Sequence, residues 1–264
     1  GQAWCGRRPG RQLGWQHLQD RPDWAAGCDP IVHGTIGSTM TEAARVAASL
    51  TSPTWIMAHA QTDGRGRRGR AWLTPSGNLT ATLVYRPTTS AIEASQRSFV
   101  AANALYQALS AYVAADQLSL KWPNDVLLNG GKVAGILLET SAHRAEIDYL
   151  SVGIGVNLQT APEVADAAFV PTSLAAAGVD VTAVDFLTTL AATYSAQEVL
   201  IQTEGFARIR SDWLAHAARL GDVITARTMT DTITGIFDTI DANGNLVLIT
   251  GAGVQMIPAA DVYF

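Results

Sequence analysis

A run of strand-like segments between residues 78 and 156 constrains the fold of this chain more than any other feature. NLTATLVY alternates apolar and polar residues, and LSLKW, KVAGILLE and DYLSVGIGV predict three further strands. Residues 90 to 115 are Ala-rich and predict a helix after the first strand, and residues from about 184 to 219 predict more helix. Upstream, Thr39 and Glu42 predict a capping box at a helix start, and WIMAHA predicts a strand. The mixture predicts an α+β fold.

The chain is expected to divide into three parts. With 264 residues and 48% hydrophobic content, it can bury one large core and a small second one, since single cores stop growing near about 250 residues. Residues 1–30 lack a helical or strand period and predict an irregular arm, and residues 31–220 carry the main domain. Residues 221–264 read as short strands with an Asn-Gly turn at Asn243 and Gly244, which predicts a small C-terminal β-barrel.

Composition excludes several functional classes. A net charge of -5 argues against a general nucleic-acid binder, which needs a basic face spread over many phosphates. Cys5 and Cys28 form no CxxC motif, and no Cys/His spacing indicates zinc or a disulfide framework. No apolar run reaches the length of a membrane span, and the first residues lack the apolar stretch of a signal peptide. We therefore expect a cytoplasmic protein with neither nucleic acid nor membrane as a partner.

The segment GRGRRGR at residues 64–70 concentrates positive charge in an acidic chain. Its glycines satisfy the G-x-G-x-x-G fingerprint of dinucleotide-binding folds, but that fingerprint must open a helix, and Pro75 and Gly77 would break one. A phosphate-binding Walker loop is excluded because no lysine lies in a G-K-[ST] context, and RNA-binding RGG segments are longer and repeated. Two interpretations remain, a loop that surrounds a compact polyanion such as a triphosphate and a solvated basic turn.

A second constellation, KWPNDVLLNGGKVAGILLE, spans residues 121–139. It contains Lys121 and Lys132, the only lysines of the chain beside 16 arginines, which indicates positions that need a compact ammonium group. Asn124 and Asp125 offer the oxygen ligands that a magnesium ion prefers when phosphates and water supply the rest. The alternative is a β-hairpin in which NDVLLNGGK is the turn and Asp125 a turn residue.

Taken together, GSTMTEA, QTDGRGRRGRAW, KWPNDVLLNGGKVAGILLE and VGIGVN, in this order, resemble the biotin protein ligases over residues 34 to 158. The resemblance implies a catalytic domain with a mixed β-sheet and packed helices, followed by a small C-terminal barrel. It also implies that biotin reacts with Mg-ATP to give biotinyl-5'-AMP, and that biotin then passes to a lysine of a biotin carboxyl carrier domain. No nucleophile motif appears in the sequence, which agrees with catalysis by cations, metal and positioning.

The resemblance assigns roles to individual positions. Residues implied to bind biotin are Ser38, Thr39, Met40, Gln61, Gly64, Arg65, Gly66, Arg67, Lys132 and Gly135. Residues implied to bind ATP are Arg67, Arg68, Arg70, Trp72, Lys121, Asn124, Asp125 and Asn157, with Asp125 also at the metal. Lys132, Arg67 and Arg65 are implied to be catalytic.

Other readings of these positions remain open. Ser38 and Thr39 can serve as a helix cap only, Trp72 as a core residue, and the VGIGV glycines as sites of tight strand packing. Met40 departs from the Asn that bacterial members carry and resembles some eukaryotic holocarboxylase synthetases.

Three hypotheses for the whole protein follow. The residues before position 31 are too few for a winged helix, so we expect a monofunctional ligase that does not repress transcription. A lipoate ligase, with an apolar tunnel instead of urea partners, is the rival enzyme. A regulator or carrier-binding protein that lost turnover is the rival from another class.

Overall fold

Two β-sheets organise the part of the chain that the computed structural model describes, namely residues 18, 21, 23–87, 89–143, 146–163 and 169–264. The expected N-terminal arm at residues 1–30 lies mostly outside the described residues, as does Cys5. Cys28 is described and buried, and burial raises the pKa of its thiol to about 11.

The larger sheet is mixed, as expected. It has seven strands in the order β1-β2-β3-β7-β6-β5-β4, with β1 and β2 parallel and all other neighbours antiparallel. The strands are β1 (Asp29–Ile36), β2 (Thr54–Gln61), β3 (Leu79–Tyr85), β4 (Leu118–Lys121), β5 (Asp125–Leu128), β6 (Gly131–His143) and β7 (Glu146–Val156).

Helices cover both faces of this sheet. They are α1 (Thr39–Val46), α2 (Ala91–Ser95), α3 (Arg97–Ser110), α4 (Ala183–Glu204) and α5 (Phe206–Ala215). Within β2, Trp55 and Met57 join the main core on the side of α3 to α5, whereas Ile56 joins a small cluster with Ala43 of α1 and Ala47 directly after it. Because successive strand residues point to opposite faces, α1 lies on the other face. None of the described helices is long and apolar enough to cross a membrane.

The C-terminal part forms a smaller antiparallel sheet. Its strands follow the order β11-β10-β9-β8-β12, with β8 (Val223–Arg227), β9 (Thr232–Ile240), β10 (Leu246–Thr250), β11 (Gly253–Ile257) and β12 (Asp261–Tyr263). The expected Asn-Gly turn lies between β9 and β10, where Gly244 has φ 87°. In residues 169–264 no pairing joins β11 to β12, so the sheet is present but closure into a barrel is not shown. Trp122 Nε1 donates to Gly244 O at 3.1 Å, which ties the two sheets together.

Two expectations about helices need correction. The cap of α1 is Ser38, whose hydroxyl accepts from Met40 N at 3.2 Å, and not Thr39. Thr39 cannot cap because its hydroxyl contacts Gln61, and the Glu42 carboxylate binds Arg45 instead of reaching back to the helix start.

Helix boundaries also differ from the sequence pattern. The stretch from 90 to 115 divides into α2 and α3, and the stretch from 184 to 219 divides into α4 and α5. Gly205 separates the second pair with φ 77°, a conformation that a side chain would disfavour.

The prediction also missed strand β5. The interpretation of NDVLLNGGK as one long turn is wrong, because Asp125–Leu128 pairs with β4 and with β6. The turn is confined to Asn129 and Gly130, with φ 50° and φ 80°, as a two-residue hairpin of right-handed twist requires. Its apolar run, VLL, is too short to predict a strand by period.

A buried ion pair joins the helical layer. Arg97 of α3 donates to Glu198 of α4 at 2.7 Å, and their side chains are 7% and 1% exposed. Burial opposes the charge of Arg97, but its hydrogen bonds to Glu198 outweigh that effect and raise the pKa of the guanidinium. Arg97 also donates to Glu93 O at 2.9 Å.

We expect Glu198→Gln to lower the free energy of unfolding by about 3–5 kcal/mol, because it leaves a buried guanidinium without its counter-charge. The double variant Arg97→Met with Glu198→Leu should recover most of that loss, since no buried charge remains. Urea denaturation measures both. Glu204→Gln, at the exposed end of α4, is the control and should cost less than about 1 kcal/mol. Equal losses at positions 198 and 204 would contradict this account.

Candidate active site

A cavity of about 730 Å³ lies between the larger sheet, the loop at residues 64–70 and strand β12. Most residues singled out from the sequence line it, although they come from six separate segments of the chain. They are Ser38, Thr39, Met40, Gln61, Arg65, Gly66, Arg67, Arg70, Trp72, Lys121, Asn124, Asp125, Lys132, Gly135 and Asn157. Gly64 lies at the base of the loop and Arg68 on its outer side, and neither lines the cavity.

One end of the cavity is a fixed network of polar groups. Gln61 Oε1 accepts from Thr39 N at 2.8 Å and from Thr39 Oγ1 at 3.1 Å. A backbone N–H can only donate, so this contact fixes the orientation of the carboxamide. Thr82 Oγ1 donates to Thr39 Oγ1 at 2.8 Å, and Ser38 Oγ accepts from Arg65 Nη1 at 3.4 Å. Ser38 therefore both caps α1 and lines the cavity.

Glycines form the floor of the cavity. A Cβ added to Gly155 would lie 2.3 Å from Trp72 Cε2, and one added to Gly153 would lie 2.7 Å from Met40 Sδ. At Gly135 the nearest atom would be Trp72 Cζ3 at 3.1 Å. These positions make room for side chains that stand on the sheet, so the VGIGV glycines do more than pack strands. Trp72 is half-buried and lines the cavity, which excludes the reading as a core residue.

The arginine loop is closed by its own backbone. Gly66 N donates to Arg70 O at 2.7 Å, and Trp72 N donates to Gly64 O at 2.9 Å. Arg68 and Gly69 have φ 57° and φ 71°, which turn the chain back on itself. A Cβ on Gly64 would lie 2.5 Å from Trp72 O, so the base of the loop requires glycine. No helix follows the loop in residues 71–78, in agreement with the rejection of a dinucleotide fold.

Three of the four loop arginines are paired with carboxylates. Arg65 makes a two-pronged ion pair with Glu139 of β6, at 2.8 Å for both bonds, and these hydrogen bonds raise the pKa of Arg65. Arg68 Nη1 lies 2.9 Å from Asp261 Oδ2, and Arg70 contacts the same oxygen. Each of these side chains thus has a partner on another element, although Arg68 and Arg70 stay partly exposed to solvent.

Arg67 differs from its neighbours in having no ion pair within the described part of the chain. Its Nη1 donates to Asn124 Oδ1 at 3.3 Å. Burial lowers the pKa of Arg67, which is the direction that desolvation of a cation gives, although a guanidinium stays protonated at neutral pH. A buried cation that lacks a carboxylate is suited to an anionic ligand.

The two lysines meet at Asp125. Lys132 Nζ lies 2.6 Å from Asp125 Oδ1, and Lys121 Nζ lies 3.5 Å from Oδ2. Burial of the Asp125 carboxyl opposes its charge, but the ammonium groups outweigh that effect and hold its pKa below the usual value. Burial lowers the pKa of Lys121, whose Nζ also lies 4.4 Å from the ring centroid of Phe169. The group carries a net positive charge at the cavity wall.

Two asparagines that line the cavity also donate hydrogen bonds to backbone carbonyl groups. Asn124 Nδ2 donates to Ile136 O at 2.7 Å, which aims its oxygen at Arg67. Asn157 Nδ2 donates to Thr172 O at 3.0 Å, so its amide holds the segment beside Lys132. Its role at a nucleotide stays a prediction.

The donor set does not fit a dedicated protein metal centre. Among the described residues no three His, Cys, Asp or Glu side chains converge. Asp125 is a single carboxylate whose oxygens face two lysines. Magnesium commonly takes only one or two carboxylates when phosphates supply the other ligands, so Asp125 as a metal ligand stays a prediction.

Sequence reasoning missed several residues of this site. Glu139 and Asp261 pair with the loop, Thr82 supports Thr39, and Gly153 makes room for Met40. The four arginines of the loop indicate that carboxylates from other segments of the chain must lie close to it. Nothing local marked which of the 23 acidic residues would do so.

We expect Gly155→Ala to displace the Trp72 indole and to cost about 1–3 kcal/mol of unfolding free energy, since the added methyl overlaps the ring. In a Trp72→Ala background the same change should cost much less. The double-mutant cycle, measured by urea denaturation, reports the coupling. Gly34→Ala is the control, because a Cβ there meets nothing within 4 Å. Additive losses in the cycle would refute the contact.

Two known families match separate parts of the chain. The biotin/lipoate A/B protein ligase family matches residues 35–157, and the biotin protein ligase C terminal domain matches residues 220–264. The first match contains α1, the arginine loop and both lysines, and the second contains the whole C-terminal sheet.

Individual proteins are similar over most of their length. The biotin–[acetyl-CoA-carboxylase] ligase of Paracoccus denitrificans is 50% identical over 232 residues, which cover 86% of this chain and 97% of that protein. The bifunctional ligase/repressor BirA of Bacillus subtilis is 32% identical over 240 residues, which cover 88% of this chain and 73% of that protein. The solved structure of the biotin protein ligase from Aquifex aeolicus in complex with biotin and ATP matches with a TM-score of 0.75 at 25% identity. The match covers 89% of this chain and 98% of that one.

Proposed function

This chain belongs to the biotin/lipoate A/B protein ligase family, and we propose that it joins biotin to a lysine of a biotin carboxyl carrier domain at the expense of ATP. In the first step the biotin carboxylate attacks the α-phosphate of ATP, an O–P bond forms, and pyrophosphate leaves. In the second step the ε-amine of the carrier lysine attacks the carbonyl carbon of biotinyl-5'-AMP. An amide bond forms, the amine loses a proton, and AMP leaves.

The observation that carries this proposal is the half-buried guanidinium of Arg67, which has no ion pair among the described residues and lines the same cavity as Lys132. The first step brings a carboxylate against a triphosphate, so repulsion between anions opposes it. A fixed cation in a site of low dielectric stabilises the charge that develops on the phosphate and needs no reorganisation during the reaction. We assign Arg67 and Lys132 to the biotin carboxylate and the α-phosphate, where their charges hold the reactants together.

The polar end of the cavity suits the ureido ring of biotin. A buried urea needs partners for its N–H groups and its carbonyl oxygen. Thr39 and Gln61 supply hydroxyl and amide groups that are already oriented by one another, and the hydroxyl of Ser38 is oriented by Met40 N. Met40 and Ile136 provide apolar wall for the rest of the molecule, and Gly135 permits close approach of the backbone.

ATP is assigned to the other end. Lys121, Asn124 and Asp125 lie there beside Arg67, and the net positive charge favours phosphates. Mg²⁺ enters with ATP as part of the substrate, with Asp125 as the candidate carboxylate. Trp72 offers a flat face to adenine, and Asn157 lies close by.

Some features of the proposal rest on family membership and sequence alone. We assign catalysis to residues 31–220 and the smaller sheet to a domain at 221–264, with residues 1–30 as an arm. A cytoplasmic location and a ligase without a repressor function stay predictions.

The decisive experiment measures ATP-dependent pyrophosphate release with biotin and, separately, with lipoate, followed by the mass of an added carrier domain. We expect release with biotin and a mass increase of the carrier that equals one biotinyl group. Activity with lipoate alone would assign the protein to lipoate ligation. A folded sample that binds biotin but releases no pyrophosphate would be a regulator instead.

We expect Arg67→Gln to slow pyrophosphate release by about 10²–10³-fold, the usual cost of removing one fixed group that stabilises transition-state charge. Its unfolding free energy should stay the same or rise, because the unpaired cation is unfavourable in the folded state. Arg86→Gln, at an exposed pair with Asp148, is the control and should change neither quantity. Unimpaired release by the Arg67 variant would overturn the role of this residue.

A further inference from the structure

Asp261 is the one carboxylate of the C-terminal sheet that reaches the arginine loop in the described chain. Its Oδ2 accepts from Arg68 Nη1 at 2.9 Å and also contacts Arg70. The Asp261 side chain is only 17% exposed, and it lines the cavity with Val262 and Tyr263. A segment almost 200 positions away in sequence thus forms part of the cavity wall.

The backbone on both sides makes this contact specific. Asp261 starts β12, and its pairing with Arg227 of β8 fixes its position. Arg68 adopts φ 57°, a left-handed conformation that is unfavourable for a residue with a side chain. In this turn the Arg68 guanidinium reaches Asp261, so the ion pair stabilises this conformation of the loop and offsets part of that strain.

The same turn determines where Arg67 lies. Arg65 is anchored on one side of Arg67 by Glu139, and Arg68 and Arg70 are anchored on the other by Asp261. Arg67 lies between the two anchors and donates to Asn124. We expect loss of either anchor to let the loop move, so that Arg67 would leave its contact with Asn124.

We propose that Asp261 is a positioning residue that latches the arginine loop onto the C-terminal sheet and so holds Arg67 over the reaction site. Asp261 need not touch a substrate for this role, because it acts through Arg68 and Arg70. The C-terminal sheet then contributes to adenylation by fixing the loop. The kinetic part of this inference rests on the proposed function, whereas the structural part does not.

The structural part is tested by limited trypsin digestion, with fragments assigned by mass. The loop contains four possible cleavage sites, and proteolysis reports the population of the open loop. We expect cleavage within residues 64–70 to be roughly tenfold faster in Asp261→Asn, the effect of losing two partly exposed ion pairs. Asp261→Glu should restore most of the protection. Asp238→Asn, an exposed Asp of the same sheet, is the matched control and should digest like the wild type.

The kinetic part uses pyrophosphate release with biotin and ATP. In Asp261→Asn we expect kcat/KM for ATP to fall roughly tenfold while the thermal midpoint changes little, and Asp261→Glu to recover it. The variant Arg68→Gln with Arg70→Gln should reproduce the loss, and adding Asp261→Asn to it should cause no further loss. Unchanged digestion and kinetics in Asp261→Asn would overturn the latch, and faster turnover would identify Asp261 as a restraint instead. A third outcome separates the two proposals. If Asp261→Asn is digested faster but the wild type releases no pyrophosphate with biotin, the latch stands and the proposed function is rejected.

Discussion

Mutual repulsion among four guanidinium groups within seven residues is the constraint on which the rest of this site depends. The chain meets it by supplying carboxylates from distant elements, Glu139 on β6 and Asp261 on β12. Glu139 pairs with Arg65, and the single charge of Asp261 is shared between Arg68 and Arg70, so Arg67 is the loop arginine without an ion pair in the described structure. Pairing most of the loop therefore isolates one cation whose surroundings disfavour it until an anion arrives.

On the opposite wall of the cavity, one carboxylate likewise pairs with two cations. Asp125 accepts from both lysines of the chain, and Asp125 and Lys121 are buried, which restricts their movement more than that of exposed side chains. The antiparallel register places Asp125 opposite Lys121 on one side and Gly135 on the other. Gly135 leaves the room above the strand that the Lys132 ammonium and the Trp72 ring occupy. The wall thus combines fixed charge with free space, which is what two anionic reactants require.

Sequence patterns predicted the parts of the fold that depend on local periodicity. The strands around WIMAHA, NLTATLVY, KVAGILLE and DYLSVGIGV are confirmed, whereas the four-residue strand β5 was missed because its apolar run is too short to show a period. Residues of the two dense motifs do line one cavity, since their side chains are close in sequence and need only one sheet to bring them together. Glu139 and Asp261 could not be found in this way. Their function arises from strand order and tertiary contact, and a single carboxylate carries no local mark of its partner.

The two kinds of ion pair in the site also differ in physical character. Asp125 and Lys121 are buried, so salt screens their pair little, and removal of one partner would leave the other charge unpaired and away from water. The pairs of Arg68 and Arg70 with Asp261 are partly exposed, and each contributes on the order of 1 kcal/mol or less. Because these contributions are small, we expect this end of the loop to open more readily than the buried cluster around Asp125. If Asp261 acts as proposed, a loop held by such weak pairs opens to admit a ligand, and the contact with the C-terminal sheet guides its return.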